Sequence, residues 1–317
     1  MIQHRPFRNC DPPAIARIWC SQPNVRGVFA PMTPAVLETV VLSKPYFDRN
    51  GLIVAVDDDQ PVGFVHAGFQ SNAAGSALDT SVGATCMLMV ASRPDRARIA
   101  EDLLAAGERY LQHRGAAVWY GGGSETVAPF YLGLYGGAAL PGILADDRAL
   151  CDLFRSAGYV EQCRRLVLQC SLARFRPVMD RQQLQIRRTC VVEPTREPWP
   201  LTWWDACSAG VSDFFQFAVR ARSSAVHLGR VCYWNMEPLA NSWGAHARGL
   251  KALDISAAEN RVDLSTFLLG ESLAQMAADG ATLAEVHADP HDTELVPILH
   301  RLGFRPTQEG IVFRKSG

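Results

Sequence analysis

Two stretches of the chain share one layout and decide the fold. Residues 88–118 read LMVASRPDRARIAEDLLAAGERYLQHRGAAV, and residues 253–283 read LDISAAENRVDLSTFLLGESLAQMAADGATL. They align without a gap at a constant offset of 165, which superposes these pairs: Leu88 and Leu253, Arg96 and Arg261, Leu103 and Leu268, Leu104 and Leu269, Gly115 and Gly280. An internal repeat of this length predicts two copies of one domain.

Each copy has the pattern of a strand, a helix and a second strand. The apolar runs Thr85–Val90 and Leu250–Ile255 come first, and apolar residues with helical spacing follow in both copies. A glycine ends each predicted helix. The runs Ala117–Tyr120 and Leu283–Ala288 then form the second strands. A crossover of this kind predicts two parallel strands with a helix packed on the sheet.

Segments before the first copy predict further elements. The apolar runs Leu52–Val56 and Val62–Phe69 are separated by Asp-Asp-Asp-Gln-Pro, which is typical of a hairpin. Helices are predicted near Pro12–Cys20 and Pro34–Leu42, where a proline opens each segment.

Both copies end in a helix and a last strand, at Arg165–Cys170 and Gly310–Arg314. We therefore predict a domain of residues 1–173, a linker of residues 174–183 and a domain of residues 184–317. The linker is polar and contains a proline, and the run Leu184–Val192 is predicted to be the first strand of the second domain.

Composition restricts the function classes. The chain has 317 residues and a formal net charge of -1, which does not favour a nucleic-acid or anionic-membrane partner. The N-terminus is polar, and no apolar run approaches the length of a membrane span, so we expect a cytoplasmic protein. Nine scattered cysteines without metal-ligand spacing indicate reduced thiols, and no metal is predicted.

The ends of the two copies carry a family resemblance. The closing helix runs into Gly158-Tyr159 in one copy and Gly303-Phe304 in the other, and the central helix of each copy carries a Leu-Leu pair. In these features the chain resembles the GCN5-related N-acetyltransferase (GNAT) superfamily, over nearly its whole length and twice. The resemblance implies an α/β fold of two tandem GNAT-like domains, each a mixed, splayed sheet of six to seven strands flanked by helices. It also implies transfer of an acetyl group from acetyl-CoA to a primary amine.

The family binds the diphosphate of CoA at a Q/R-x-x-G-x-G/A loop, where backbone N–H groups at a helix start meet the phosphates. The corresponding residues are 95–100 (DRARIA) and 260–265 (NRVDLS), and both lack the central glycine. The first loop is rich in arginine, whereas Asp263 occupies the glycine position of the second and would repel phosphate. We therefore expect the first domain to bind acetyl-CoA and the second to be degenerate. The expected cofactor-binding residues are Met89, Val90, Arg96, Ala97, Arg98, Ile99 and Ala100.

The resemblance also indicates where catalytic groups should lie. The tyrosine that commonly protonates the leaving thiolate is replaced by Phe154 and Leu299. A segment rich in glycine and aromatic residues follows the second strand of the first copy only, and it supplies Glu125 as a candidate base. Tyr131 and Tyr135 in that segment are candidate acids. The alternative is an ordered packing loop in which the tyrosines fill the gap.

Two further clusters have open interpretations. Glu285, His287, Asp289 and His291 are a base relay, a metal site or a polar sheet surface, and their spacing fixes no third metal ligand. The tryptophans at positions 199, 203 and 204 form either a domain interface or core patch, or a substrate box.

Three functions remain open from the sequence. The first is an N-acetyltransferase acting on the amine of a small molecule or peptide, with a homodimer left open. The second is a catalytically degenerate pair that binds acyl-CoA or serves as a scaffold. The third is an aminoacyl transferase that uses charged tRNA, which the net charge of -1 opposes.

Overall fold

The computed structural model describes residues 2–196, 202–209, 212–224, 226–236, 242–256 and 260–317. In the first half the strands are β1 (Gln3–Pro6), β2 (Leu52–Asp57), β3 (Gln60–Ser71), β4 (Leu78–Val90), β5 (Val118–Gly121), β6 (Ile143–Leu144) and β7 (Val160–Ser171). The helices of this half are α1 (Pro12–Cys20), α2 (Pro34–Val36, continuing as a π-helix over Leu37–Leu42), α3 (Arg96–His113) and α4 (Arg148–Ser156).

In the second half the strands are β8 (Cys190–Pro194), β9 (Phe214–Ala221), β10 (His227–Asn235), β11 (Ala247–Ile255), β12 (Leu283–Ala288) and β13 (Arg305–Ser316). The helices are α5 (Arg181–Thr189), α6 (Trp203–Ala209), α7 (Arg261–Ala278) and α8 (Leu295–Arg301).

The repeat is confirmed residue by residue. The central helices α3 and α7 are both 18 residues long and start 165 positions apart, at Arg96 and Arg261. Gly115 and Gly280, which follow them, have φ angles of 90° and 94°, the left-handed conformation that ends a helix. The hairpin, the two N-terminal helices and the crossover strands also lie where the sequence predicts them.

One predicted segment is wrong. The sequence predicts a linker up to residue 183 and a strand over Leu184–Val192, but Arg181–Thr189 is helix α5 and the strand starts at Cys190. The Asp180 carboxylate accepts a hydrogen bond from the backbone N–H of Gln183 and caps this helix. Because Leu184 is 41% exposed, its apolar character reflects the surface of a helix and not a buried strand.

The described strands form one continuous sheet whose two halves exchange their last strands. The order is β1-β2-β3-β4-β5-β13-β7-β12-β11-β10-β9-β8, with β6 attached to β13. Strand β13 therefore pairs with β5, while β7 pairs with β12. We call β1–β5 with β13 the first lobe, and β8–β12 with β7 the second lobe. The fold class is confirmed, and each lobe has six of these strands side by side.

The first copy contains extra chain after its second crossover strand. Strands β7 and β13 are both 12 residues long, but they start 145 positions apart and not 165. Of these 20 extra residues, 18 lie between the second crossover strand and the closing helix, where 122–147 in the first copy correspond to 287–294 in the second. The other two lengthen the closing helix, since α4 has nine residues and α8 has seven. We call residues 122–147 the insertion.

The lobes also share a core. Trp204 of α6 is 4% exposed and packs against Tyr46, with 4.6 Å between ring centroids, within the hydrophobic cluster of the first lobe. Its indole N–H donates to the backbone carbonyl of Glu125 at 3.2 Å. Trp204 is therefore an interface residue, as one reading of the tryptophan cluster predicts. Trp203 is 39% exposed, and Trp199 lies outside the described residues.

Candidate functional site

Both lobes contain a pair of parallel strands that separate after a few residues. Strands β4 and β5 pair from Val82 to Thr85, and β11 and β12 pair from Ala247 to Gly249. Beyond these residues the strands diverge and open a cleft in the sheet. The two clefts are at equivalent places in the repeat, so they can be compared directly.

The insertion fills the cleft of the first lobe. Strand β6 of the insertion pairs with β13 beside the diverging strands. Gly122 and Gly142 lie so close that a Cβ on Gly122 would be 2.6 Å from the backbone of Gly142, and both have positive φ angles. A cavity between β4, α4 and the insertion has a volume of about 10 Å³, which is room for about one water molecule.

The cleft of the second lobe is open. It contains a cavity of about 610 Å³ between β11, β12, α7 and α8, a volume in the range of small-molecule sites. Residues 124–126 and 139–140 of the insertion form one of its walls. The insertion therefore closes one cleft and completes the other.

A β-bulge marks each cleft at the same position of the repeat. The pairing of β10 with β11 skips Lys251, and the pairing of β3 with β4 skips Cys86, again 165 positions apart. A bulge leaves one residue without a ladder partner and re-aims its side chain. The Lys251 side chain is 8% exposed and lines the second-lobe cavity, whereas Cys86 is buried and its thiol donates to the backbone carbonyl of His66.

The charged side chains of the second-lobe cavity are paired across its walls. The ion pairs are Lys251 with Glu125 at 3.1 Å, Arg165 with Asp289 at 2.7 Å, and Arg261 with Glu294 at 3.2 Å, and Asp292 lies beside them. The cavity walls carry three cations and four carboxylates. Each pair joins two different elements, so the pairs also set the width of the cavity.

The start of α7 faces this cavity through Arg261 and Ser265. The first backbone hydrogen bond of the helix runs from the Leu264 N–H to Asn260, so the N–H groups of residues 261–263 have no partner within the helix. The Asp263 carboxylate does not line the cavity and lies 3.8 Å from the Arg301 guanidinium. The predicted repulsion between Asp263 and phosphate is therefore weakened by a cation on the other side of the carboxylate.

The arginines of the first-lobe loop are already engaged. Arg93 binds Asp57 at 2.9 Å and Asp95 at 2.5 Å, and Arg98 lies 3.6 Å from Asp95. Arg96 donates to the side-chain carbonyl of Gln22 at 2.8 Å.

The other predicted cofactor-binding residues of this loop are split between surface and core. Ala97 is exposed, Ile99 is buried and Ala100 is half-buried. Met89 and Val90 pair with β3, and the Val90 carbonyl also accepts from the Gln22 amide at 3.1 Å.

The three predicted catalytic residues lie in different places. Glu125 reaches the second-lobe cavity and not the first. The Tyr131 hydroxyl is 2.9 Å from His66 Nδ1 in the core of the first lobe. The Tyr135 hydroxyl accepts from the Leu144 N–H at 2.9 Å, beside the filled cleft. Burial raises the pKa of both tyrosines above the usual range, and the structure does not bring either of them to Glu125.

Glu285 and His287, for which the sequence leaves a base relay open, form a buried dyad on β12. His287 Nε2 is 3.3 Å from Glu285 Oε1, and the side chains are 6% and 1% exposed. His287 lines the second-lobe cavity. The dyad therefore lies on the face of the strand that turns toward the open cleft.

The sequence does not single out Lys251, although a charged residue within the apolar run of β11 is the one available signal. It also gives no sign that Ala138 and Gln169, from distant segments, contact Glu285. These contacts depend on the strand exchange. Among the described residues no group of three or more His, Cys, Asp or Glu could hold a metal ion. None of the described helices is long and apolar enough to cross a membrane.

Solved structures share this architecture at low sequence identity. The GCN5-related glucosamine N-acetyltransferase region of a fungal multi-domain GH3 β-N-acetylglucosaminidase has a TM-score of 0.72 and 13% identity, and the match covers 99% of this chain and 38% of that one. A tandem GNAT protein from the clavulanic acid biosynthesis pathway has a TM-score of 0.66 and 12% identity, covering 100% and 98%. A GCN5-related N-acetyltransferase from Sphaerobacter thermophilus has a TM-score of 0.64 and 15% identity, covering 99% and 95%.

These likenesses establish the fold. The chain has the tandem GNAT fold, and it spans less than half the length of the fungal protein. No model of a protein family matches the chain, and no curated protein matches it either. The activity must therefore be argued from the geometry of the clefts.

Proposed function

Because the chain has the tandem GNAT fold, we propose that the protein is a CoA-dependent N-acetyltransferase whose active site is the cleft of the second lobe. It moves the acetyl group of acetyl-CoA directly to a primary amine of a small molecule or peptide. The observation that carries this proposal is the open cavity of about 610 Å³ between the diverging strands β11 and β12. The equivalent cleft of the first lobe has about 10 Å³ of space.

The residues around the cavity fit the parts of acetyl-CoA. The N–H groups of residues 261–263, which have no partner within helix α7, and the Arg261 guanidinium suit an anionic diphosphate. The edge of β11 at residues 250–253, exposed where β12 diverges, can hydrogen-bond the amide-containing arm of the cofactor as an added strand would. The bulge at Lys251 places an irregular stretch of backbone near the thioester end. When bound, acetyl-CoA supplies an activated acyl group.

The insertion then has a structural role at both clefts. It blocks the first-lobe cleft and brings Glu125 and its neighbours to the wall of the second-lobe cavity. The acceptor amine would therefore bind between the lobes, in contact with both halves of the chain. This arrangement reverses the expectation from the loop sequences, in which the arginine-rich first loop binds acetyl-CoA.

Calorimetry with acetyl-CoA tests the choice of lobe, because the repeat supplies a matched pair of variants. Arg261→Glu reverses one charge at the second cleft, and Arg96→Glu does the same at the equivalent position of the first. Two unit charges at about 4 Å interact by about 1 kcal/mol in bulk water, so the reversal costs about 2 kcal/mol. That corresponds to about a 30-fold weaker affinity at low salt.

The proposal predicts this loss for Arg261→Glu and an unchanged affinity for Arg96→Glu. The opposite result would place the cofactor in the first lobe. Far-ultraviolet circular dichroism of both variants controls for misfolding, since both side chains are at least partly exposed at helix starts.

A protein that binds acyl-CoA without transferring the acyl group is the second candidate. The observation that favours it is that Phe154 and Leu299, at the positions of the family's usual acid, are both buried and apolar. Wild-type protein incubated with acetyl-CoA and a panel of amines, with free CoA measured by chromatography, separates the two candidates. Binding with no amine-dependent release of CoA would support the second.

A further inference from the structure

The dyad of Glu285 and His287 has the geometry of an oriented imidazole. The two residues are two positions apart on β12, so their side chains share one face of the sheet. His287 Nε2 and Glu285 Oε1 are 3.3 Å apart, within hydrogen-bond reach. Since the ionised carboxylate only accepts, the bond requires the proton on Nε2. The other nitrogen, Nδ1, then carries the free lone pair.

The carboxylate of Glu285 is fixed by residues from the first half of the chain. The backbone N–H of Ala138, in the insertion, donates to Oε1 at 2.6 Å. The Gln169 amide on the exchanged strand β7 donates to Oε2. Gly137 approaches so closely that a Cβ there would lie 1.9 Å from Oε1. The first half of the chain therefore holds Glu285 in place for His287.

His287 Nδ1 is buried, and no hydrogen-bond partner for it exists within the described ranges. The residue lines the cavity in which acceptor and thioester would meet. An imidazole can accept a proton on one ring nitrogen while the other donates a hydrogen bond, which suits it to general-base catalysis. We propose that His287 is the catalytic base of the second lobe and that Glu285 is its positioning residue. This inference rests on the proposed function.

The proposed step transfers the acetyl group directly from the thioester to the amine. The lone pair of the neutral amine nitrogen forms a bond to the acyl carbon of the thioester, and the carbon–sulfur bond breaks. The electron pair of that bond leaves with the CoA sulfur, which takes up a proton from solvent. The proton lost by the amine nitrogen moves to His287 Nδ1, and the Glu285 carboxylate stabilises the resulting imidazolium.

Glu125, the base expected from the sequence, is less well placed for this task. Its carboxylate is 40% exposed and is engaged with the Lys251 ammonium at 3.1 Å. The other charged groups facing the cavity are Arg165, Arg261, Asp289, Asp292 and Glu294. The carboxylates among these groups lie on the charged wall of the cavity, whereas His287 is paired with the buried carboxylate of Glu285.

The repeat shows that the dyad is a property of the second lobe. At the offset of 165, Tyr120 and Gly122 occupy the positions of Glu285 and His287 in the first lobe. Neither can reproduce an imidazole–carboxylate pair. The lobe with the open cleft is thus also the lobe that carries the base.

The test compares five proteins: wild type, His287→Gln, Glu285→Gln, Glu125→Gln and His246→Gln. His246 is exposed and precedes β11 at the end of the sheet away from the cavity, so it serves as the control histidine. Binding of acetyl-CoA is measured by calorimetry. Transfer to a panel of aliphatic amines, amino acids, aminosugars and short peptides is followed by the release of CoA across pH.

The proposal expects all five proteins to bind acetyl-CoA with similar affinity. His287→Gln should lower kcat/KM by about 10²- to 10⁴-fold, the usual contribution of a general base, and remove the acid limb of the pH profile. Glu285→Gln should move that limb to lower pH, because an amide stabilises the protonated imidazole less than a carboxylate does. A merely structural role for Glu285 would not move the limb.

A separate measurement does not depend on turnover. Nitrogen-15 NMR of histidine-labelled protein, with His287 assigned by the variant, should show the neutral imidazole protonated on Nε2. The opposite tautomer would overturn the dyad. Full turnover by His287→Gln would overturn the assignment of His287 as the base. So would wild-type protein that binds acetyl-CoA but transfers the acetyl group to no amine. Absence of acetyl-CoA binding would instead sink the proposed function, and the NMR result would still decide the dyad.

Discussion

The buried lysine Lys44 offers a quantitative test of how the lobes are joined. Its side chain belongs to the first lobe, and its ammonium donates to the backbone carbonyls of Cys207 and Ser208 at 2.8 Å each, at the end of α6. The residue is 8% exposed. Beside it, Trp204 of the same helix bonds the backbone of Glu125 at the cavity. Lys44 thus helps to hold the wall of the proposed site.

Burial lowers the pKa of Lys44 from 10.5 to about 8. One pKa unit corresponds to about 1.4 kcal/mol, so the shift is worth about 3 kcal/mol. Below pH 8 both the folded and the unfolded chain hold the proton, and the folded state bears the full cost of a buried charge. Between pH 8 and 10.5 only the unfolded chain stays protonated, so the free energy of unfolding rises with pH.

The perturbation is Lys44→Met, which keeps the length of the side chain and cannot titrate. Urea unfolding of both proteins under reducing conditions gives the difference in the free energy of unfolding at each pH. We expect that difference to shift in favour of wild type by about 3 kcal/mol between pH 8 and 10.5. A difference that stays constant over this range would refute the assignment of Lys44 as a buried, titrating contact between the lobes.

Two further predictions follow from buried groups. Gly137→Ala places a Cβ against Glu285 at a residue whose φ is 103°, so it should cost about 1–3 kcal/mol of unfolding free energy and lower turnover with little change in acetyl-CoA affinity. The control is Gly115→Ala, which has a φ of 90° but no atom near the added Cβ, so it reports backbone strain without the Glu285 clash. Equal turnover in the two variants would argue against that clash. Burial lowers the pKa of His66 to about 3, so the unfolded chain takes up a proton below pH 6.5 that the folded chain does not. Wild type should therefore lose about 2 kcal/mol of unfolding free energy relative to His66→Phe between pH 6.5 and 4.5 in urea unfolding, and parallel pH curves would contradict a neutral buried His66.

The sequence was sufficient for the repeated parts of the fold. The offset between Arg96 and Arg261 is encoded by local patterns of apolar residues, glycines and charges, and it survives in both helices. The exchange of β7 and β13 was not predictable, because both strands are 12 residues long and each combines a short apolar run with polar ends. Nothing in their patterns says which neighbouring strand each will join.

The lobe that the sequence predicts for the site differs from the lobe that we propose. The loop sequences compare charges at the two helix starts, whereas the open space depends on where the insertion packs. The arginines of the first loop are paired with Asp57, Asp95 and Gln22. Asp57 and Gln22 are far from the loop in the sequence, so the sequence does not reveal these two contacts. The charges of the loop therefore predict a site in the first lobe, where the insertion packs into the cleft.

The most direct test of the central claim is a crystal structure of the protein soaked or grown with acetyl-CoA. The account predicts the diphosphate at the start of α7, next to Arg261, and the thioester between β11 and β12 beside His287. Cofactor density with its diphosphate over Arg96–Ala100 and its arm along Met89 and Val90 would contradict the account and return the active site to the first lobe.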